Sequence, residues 1–408
     1  MEKYECKAMI LTVNKKQSVE IENAVVAQIL NMYSEEKLIG RPIFQNAFAN
    51  DSIEYKDLKD ESDKILIPWQ MFLLDSRNLK KELDHIEKMR ADKVSSKLMA
   101  KRRGIGNVTS KRIIDRLIRL QNFITATNTL PQNAFCGSLV GKSNAEAVAH
   151  ILSYFEIDIN KFRGYRNKSS ALSYLLGKVE NKYINISQGV LTNKMLPMWQ
   201  VVDNSIYKNT SGFVIKDDKI PFIFLPSEIN PDEVKGRQIY TIIYLIVLIG
   251  LNEYDFFIEK NFRAKALSAT NKQKKIYSVT SEVLLPSEAT EKLSGSVITP
   301  STRDDLASEY KITPTAVVVT LRIRRTITSQ AEYEALLPPP YDPPKTPTHH
   351  PRSPKIETSV RKFCGKYSFE FVNAGIKSGQ LSSVQSQYLL FGAVNKKNFK
   401  KYRDGLSI

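Results

Sequence analysis

The side chains that could hold a metal ion are few in this sequence and are not arranged in pairs. The four histidines are His85, His150, His349 and His350. No two are four residues apart, the spacing that places two zinc ligands on one helical face. His349 and His350 lie among prolines, where no regular element would hold them. We therefore predict no metal site, no cofactor and no catalytic residue from spacing alone.

Two further stretches have residue types found in reactive sites but not the spacing. The segment 136–144, CGSLVGKSN, resembles a phosphate-binding loop, yet three residues separate Gly137 from Gly141 where that loop has four. We interpret it as a loop that leads into a helix. Asp217 and Asp218 are adjacent acids, but they fall in the polar turn of a predicted hairpin, where aspartate serves turn geometry rather than a nuclease site.

Phosphate binding is the chemistry for which the sequence offers the most residues. The segment 88–119 contains eleven lysines and arginines and two aspartates, in a chain of net charge +17. Its second half predicts an amphipathic helix, with Ile113, Ile114, Leu117 and Ile118 on one face and arginines on the other. A solvated basic face is the alternative to a phosphate-binding surface.

A second candidate for nucleic-acid contact is 302–326, whose helix, short turn and helix have the layout of a helix-turn-helix. Its turn lacks the usual glycine, so two packed helices without DNA contact are the alternative. Across both segments we select basic residues that would touch phosphates rather than read bases. They are Lys97, Lys101, Arg102, Arg103, Lys111, Arg112, Arg116, Arg119, Arg322, Arg324 and Arg325.

The composition is that of a globular chain with room for more than one core. The 408 residues are 42% hydrophobic and 25% charged. The excess of positive charge indicates an acidic partner, of which nucleic acid is the commonest, although a lysine-rich surface alone gives the same balance. Three distant cysteines and a start unlike a signal peptide predict a cytoplasmic protein without disulfides.

The elements that must position these residues follow from hydrophobic periodicity. Helices are predicted over 17–33, capped by Ser18, and over 144–156 and 169–179. A strand is predicted over 183–191 and a hairpin over 211–225. The run 239–251, IYTIIYLIVLIGL, would rise only roughly 20 Å as a helix, too short for a bilayer. We predict that it is buried inside the protein.

Changes in composition divide the chain into five parts, which together predict an α+β protein. They are an N-terminal region, a basic helical segment, a core, a linker with eight prolines, and a helical C-terminal module. Their predicted bounds are 1–85, 86–130, 131–335, 336–357 and 358–408.

The order of elements in the core resembles that of the ImmA/IrrE family of zinc-dependent endopeptidases. IPFIFLP at 220–226 resembles the family's strand, and GRQIYT at 236–241 resembles the lead-in to its H-E-x-x-H helix. SVTSEVLLP at 278–286 resembles the helix that follows. IPWQMFLL at 67–74 and the C-terminal module are similar to parts of longer members with an N-terminal regulator-like region. The resemblance implies a zincin-like fold with a small sheet and helices in the core.

The same resemblance implies that this chain lacks the family's chemistry. Aligning Tyr240 and Thr241 with the family's Phe-Thr puts Tyr244 and Leu248 at the two zinc histidines and Leu245 at the general base. The third ligand position falls near Gln273. Zinc hydrolysis needs protein ligands and a base, which these side chains do not supply.

The function expected from the sequence is therefore regulatory binding without catalysis. Members of the family act with helix-turn-helix repressors of mobile elements, phages or stress responses, so the expected partners are DNA, such a repressor, or both, and no membrane. Two alternatives remain open. One is a DNA-acting enzyme such as a nuclease whose acidic residues converge only in the fold. The other is a protein-interaction component of a defence system.

Overall fold

The fold was analysed in a computed structural model of the chain. It describes residues 8–14, 17–33, 42–65, 68–95, 108–191, 201–202, 210–227, 232–257, 270–293, 296–339, 355–392, 394 and 396–406. These residues form a mixed α+β structure with one sheet of three strands and one of five. No helix in the described part of the chain combines the length and apolar content needed to span a membrane.

The N-terminal residues form a unit with its own core. Its strands are β1 (Ala8–Val13), β2 (Gln17–Glu22) and β3 (Ser52–Glu54), in the order β2-β1-β3. Its helices are α1 (Asn23–Tyr33), α2 (Pro42–Asn50), α3 (Tyr55–Ile65) and α4 (Ser76–Lys93), with a 3-10 turn at Trp69–Leu73. Side chains such as Met9, Ile21, Val25, Phe44 and Phe72 fill the cluster between them.

The predicted helix over 17–33 is wrong in its first third. Residues 17–22 form β2, which pairs antiparallel with β1, and the helix begins only at Asn23. The sequence Val19-Glu20-Ile21-Glu22 alternates apolar and acidic residues with the period of a strand. Tertiary pairing with β1 satisfies its backbone, so Ser18 is not a helix cap.

The five-stranded sheet is the centre of the molecule. Its strands are β4 (Asn185–Leu191), β5 (Val201–Val202), β6 (Gly212–Ile215), β7 (Phe222–Ser227) and β8 (Phe256–Phe257). The order is β5-β4-β7-β6-β8, with β4 parallel to β5 and β7, and β6 antiparallel to β7 and β8. The predicted strand over 183–191 and hairpin over 211–225 are confirmed.

The two faces of this sheet carry different sets of side chains. On what we call the first face, Ile186, Val214, Ile223 and Leu225 join the largest hydrophobic cluster. On the second face, Phe213, Ile215, Phe222 and Phe224 join another. Because both faces are covered, β6 and β7 are almost continuously apolar rather than alternating.

Helices from the middle of the chain cover the first face. They are α6 (Asn144–Tyr154), α7 (Ile159–Gly164), α8 (Lys168–Glu180), α9 (Asp232–Gly250), α10 (Asn271–Leu284), α11 (Ser287–Glu291), α12 (Pro300–Glu309), α13 (Pro314–Ile323) and α14 (Gln330–Leu336). The apolar run 239–251 is α9 and the turn after it, buried as predicted. Capping boxes at Ser143 and Thr270 begin α6 and α10.

Helices from two distant parts of the chain cover the second face. They are α5 (Val108–Thr127), α15 (Ile356–Cys364), α16 (Lys366–Lys377), α17 (Ser383–Phe391) and α18 (Lys396–Leu406). Leu117 of α5 and Val360 of α15 belong to the same cluster as Phe222 of the sheet. The predicted basic segment and C-terminal module therefore pack together as one layer. Most of the predicted linker, 340–354, lies outside the described residues.

Candidate functional site

Helix α9 contains the positions that the family resemblance aligns with a zinc site. Tyr244 is 5% exposed, Leu245 0% and Leu248 2%. Every residue from Gln238 to Gly250 is buried, so the helix is enclosed by protein on all sides.

Aromatic rings surround Tyr244. Its ring centroid lies 4.6 Å from that of Phe257 and 5.7 Å from that of Tyr277 on α10. Burial raises the pKa of Tyr277 to about 12 and holds the pKa of Tyr244 well above its usual value. Both phenols are therefore neutral at physiological pH and offer no anionic ligand. Among the described residues, no three His, Cys, Asp or Glu side chains converge into a group that could hold a metal ion.

The structure does not place Gln273 beside Tyr244. Gln273 is exposed in the first turn of α10, where its side chain accepts a hydrogen bond from the backbone N of Thr270 at 3.1 Å. The side chain of α10 that contacts Tyr244 is Tyr277, one helical turn later. The expected third-ligand position is thus displaced by one turn from the residue that faces α9.

The glycine-rich loop before α6 uses its backbone donors inside the protein. The N–H of Gly137 donates to the carbonyl of Ile249 at 3.1 Å, and that of Leu139 donates to Gly250 at 2.8 Å. These are carbonyls at the C-terminal end of α9, which have no partner within the helix. The loop therefore caps α9 and leads into α6. This agrees with the interpretation as a loop before a helix.

Asp217 of the acidic pair and the nearby Cys136 have structural rather than chemical roles. Oδ1 of Asp217 accepts from the backbone N of Lys219 and Ile220, and its Oδ2 pairs with Lys93 at 2.8 Å. Asp217 therefore builds the turn and ties it to α4. Burial raises the pKa of the nearby Cys136 thiol to about 12, which keeps it protonated and unreactive.

The helix-turn-helix layout at 302–326 is present as α12 and α13, but α13 has no face free to enter a DNA groove. Every residue from Thr315 to Leu321 is buried in the cluster on the first face. A recognition helix needs an exposed face to reach base edges. The structure thus contradicts DNA reading by this helix and supports the alternative of two packed helices.

Two of the three arginines at the C-terminal end of α13 are held by internal contacts. Arg324 pairs with Glu282 at 2.6 Å and donates to the carbonyl of Leu285 at 2.7 Å. Arg322 donates to the carbonyls of Ile327 and Thr328. Arg325 is exposed. We therefore retain only Arg325 of this group as a candidate for phosphate contact.

The basic segment 88–119 is only partly described. Lys97, Lys101, Arg102 and Arg103 lie outside the described residues, and of Lys111 and Arg112 only the helical backbone at the start of α5 is described. Arg119 is half-buried on the same helix. Arg90 is buried and forms a two-pronged ion pair with Asp115, both contacts at 2.5 Å. This pair joins the N-terminal unit to α5.

Arg116 does not lie on the predicted outer face of α5. It is 5% exposed, donates to the carbonyl of Leu390 at the end of α17, and lies 4.2 Å from the ring centroid of Phe363. Burial lowers its pKa to about 10. The expectation of an exposed Arg116 is wrong, because this side of α5 is covered by α15 and α17. Its guanidinium positions the C-terminal helices instead of facing a ligand.

A basic surface that was not selected from the sequence lies on α18. Phe399 and Tyr402 of this helix are buried in the second-face cluster. Its exposed basic side chains are Lys396, Lys397, Lys400, Lys401 and Arg403, with Asp404 as the acid of the helix. Two buried aromatics three residues apart with lysines around them are a sequence signal of an amphipathic basic helix.

The two basic stretches of the sequence meet around one hydrophobic cluster. Ile113 and Leu117 of α5 share it with Phe399 and Tyr402 of α18. Arg116 fixes α5 against the end of α17, the helix that precedes α18. The helix α5, which follows the basic residues near 100 in the chain, and the basic helix α18 therefore lie on the same side of the five-stranded sheet.

Comparisons with known proteins give no relative for this arrangement. No protein-family model, no curated protein and no solved structure matches the chain.

Proposed function

We propose that this chain is a non-catalytic, ImmA/IrrE-like regulatory protein of the cytoplasm that binds nucleic acid through its phosphates. The observation that carries the proposal is that α5, the second half of the basic segment, and the basic helix α18 pack around one hydrophobic cluster on the second face of the sheet. A cationic surface attracts the phosphate backbone and releases its counterions. The net charge of +17 acts in the same direction.

The contacts of α9 support binding without hydrolysis. In the family that the sequence resembles, the equivalent helix borders a zinc ion and a water molecule, whereas Tyr244, Leu245 and Leu248 of α9 are buried and Tyr244 packs against Phe257. The enclosed α13 supports phosphate contact rather than base reading by a recognition helix. Sequence preference would then come from a repressor-type partner of a mobile element, phage or stress response.

The test is the salt dependence of nucleic-acid affinity, measured by fluorescence anisotropy between about 50 and 200 mM salt. Reversing the charges of Lys101, Arg102 and Arg103 to glutamate is expected to weaken binding and to reduce the slope of log K against log salt by about 2.7 if all three touch phosphates.

The matched control reverses three exposed charges of α4, namely Arg77, Lys80 and Lys81. It makes the same change in net charge away from the second face, so its slope should stay close to that of the unchanged protein. Equal affinities for the 101–103 variant and the unchanged protein, or no nucleic-acid binding at any salt, would refute the proposal.

A further inference from the structure

A groove separates α17 from α18 on the second face. Its volume is about 440 Å³, within the range of roughly 300–1,000 Å³ typical of small-molecule sites. Lys396, Lys400 and Arg403 line one side at helical spacing, with Asp404 beside them, and α17 contributes Val384 and Gln387. The lining thus combines three cations and one acid with an apolar side chain, since Val384 is 51% exposed.

Gln387 supplies a second and independent sign of a ligand. It is 2% exposed, and its Nε2 donates to the backbone O of Ser383 at 3.0 Å and to its Oγ at 3.2 Å. Its Oε1 is buried and accepts no hydrogen bond from any residue that the structure describes. An unsatisfied buried acceptor costs about 1–3 kcal/mol. A ligand with an N–H donor would recover that cost once the Gln387 side chain turns to expose Oε1 to the groove.

We propose that this groove binds one nucleotide of a single-stranded nucleic acid. The phosphate would lie against Lys396, Lys400 and Arg403, and an N–H of the base would donate to Oε1 of Gln387. A nucleotide carries both a phosphate and an N–H donor, so it can contact α18 and α17 at the same time. The inference rests on the proposed nucleic-acid function and identifies where one unit of the strand is held.

The same geometry favours a single strand over a duplex. In a duplex the N–H groups on the pairing edge of a base are already used, whereas unpaired bases offer them to protein side chains. A volume of about 440 Å³ is large enough for one nucleotide. Proteins that hold single strands combine a cationic groove with an apolar surface for the base, as Lys400 and Val384 do here.

The test compares two adjacent lysines of α18 in the full chain. Lys400 lines the groove, whereas Lys401 is exposed on the same helix and is not part of the lining. With a fluorescein-labelled single strand of about 12 nucleotides, Lys400→Glu should weaken binding about tenfold more than Lys401→Glu, because it loses a direct phosphate contact. Equal effects of the two substitutions would overturn the proposal.

Gln387→Met examines the base contact without changing charge or much volume. It should lower single-strand affinity about two- to tenfold and leave the salt slope unchanged, since no phosphate contact is lost. Adenosine monophosphate should compete for the groove better than inorganic phosphate does. Equal competition by the two would mean an anion site without base recognition, and would overturn the proposal as stated.

Crosslinking gives a readout that does not depend on the folding of any variant. A single strand containing 5-iodouracil, irradiated with the unchanged protein, should attach to a peptide within 383–403. Crosslinks found only elsewhere would place the strand outside the groove. If the 101–103 reversal weakens binding while all groove variants bind normally, the groove assignment fails and the proposed function stands. If the unchanged protein binds no nucleic acid, both fail.

Discussion

The two faces of the five-stranded sheet are covered by helices of different character. On the first face, α9 is enclosed by apolar and aromatic side chains, and Leu245 is fully buried. On the second face, buried polar side chains anchor the helices. Asn185 donates to the carbonyl of Cys364 at 2.7 Å and accepts from the backbone N of Ser368 at 3.2 Å. The contacts of Leu245 on the first face are apolar, whereas Asn185 anchors two helices of the second face by hydrogen bonds.

This difference shows where a ligand can act. The three positions of α9 aligned with the zinc site hold Tyr244, Leu245 and Leu248, packed among apolar and aromatic side chains. Burying such side chains stabilises the fold by about 1.5–3 kcal/mol each. The helices on the second face are held by hydrogen bonds of Asn185, Ser187 and Arg116, and the lysines of α18 are exposed.

The largest effect is expected from a charge placed on the first face. Leu245→Glu puts a carboxylate at a fully buried position, so it should reduce the free energy of unfolding by more than about 4 kcal/mol. Leu245→Met, which conserves volume, should cost less than about 1.5 kcal/mol. Urea denaturation measures both. A well-tolerated glutamate would mean that a hydrated pocket borders α9 after all.

The next effect concerns the ion pair that attaches the N-terminal unit to the second face. Asp115→Ala leaves Arg90 buried without its carboxylate and should cost about 3–5 kcal/mol. The double substitution Arg90→Met with Asp115→Leu removes both charges and should recover most of that loss. Chemical denaturation of the three proteins compares them. If the double variant is no more stable than Asp115→Ala, the loss of stability does not come from leaving the buried Arg90 without a partner.

A smaller effect is expected where α15 turns into α16. Gly365 has φ +81°, and a Cβ added there would lie 2.5 Å from side-chain atoms of Asn185. Gly365→Ala should therefore cost about 3 kcal/mol from backbone strain and the clash together. Gly379 has φ +72° but no atom near its would-be Cβ, so Gly379→Ala should cost only about 1–2 kcal/mol. Equal melting temperatures for the two variants would exclude a close approach to Asn185.

The smallest effect is a loss of stability at alkaline pH from the first face. Burial raises the pKa of Tyr277 to about 12, whereas an unfolded tyrosine ionises near pH 10. The unfolded chain therefore releases its proton first, so stability is complete below pH 10 and falls between about 10 and 12. At pH 10.5 the loss should be under about 1 kcal/mol for this tyrosine, and Tyr277→Phe should remove its share. A phenolate absorbance near pH 10 that the folded protein shows and its Tyr277→Phe variant lacks would contradict the burial.

The sequence predicts the elements of the core better than their contacts. The hairpin, the strand at 185–191 and the burial of α9 follow from apolar runs and turn residues, which are local signals. The strand at 17–22 was not predicted, because its pairing with β1 outweighs helical periodicity. Which arginines are buried also depends on distant partners. Arg116 is covered only because residues after 355 fold back onto α5.

The candidate site shows the same limit. The excess of basic residues near 100 is visible in the sequence, but the packing of α5 and α18 around one cluster joins residues almost three hundred positions apart. The unsatisfied oxygen of Gln387 has no sequence signal, because it becomes unusual only when burial removes water. The burial of α13 could not be predicted either, because packed helix pairs and DNA-binding helix-turn-helix motifs share the same sequence pattern.

The most direct test of binding without chemistry is one incubation analysed twice. The full chain is mixed with end-labelled DNA, single-stranded and duplex, in the presence of Mg²⁺ and Zn²⁺, and the products are run on native and denaturing gels. We predict a salt-sensitive shift on the native gel and DNA of unchanged length on the denaturing gel. DNA that is cut by the protein, or that is not shifted at any salt, would contradict the proposal that this chain is a non-catalytic nucleic-acid-binding protein.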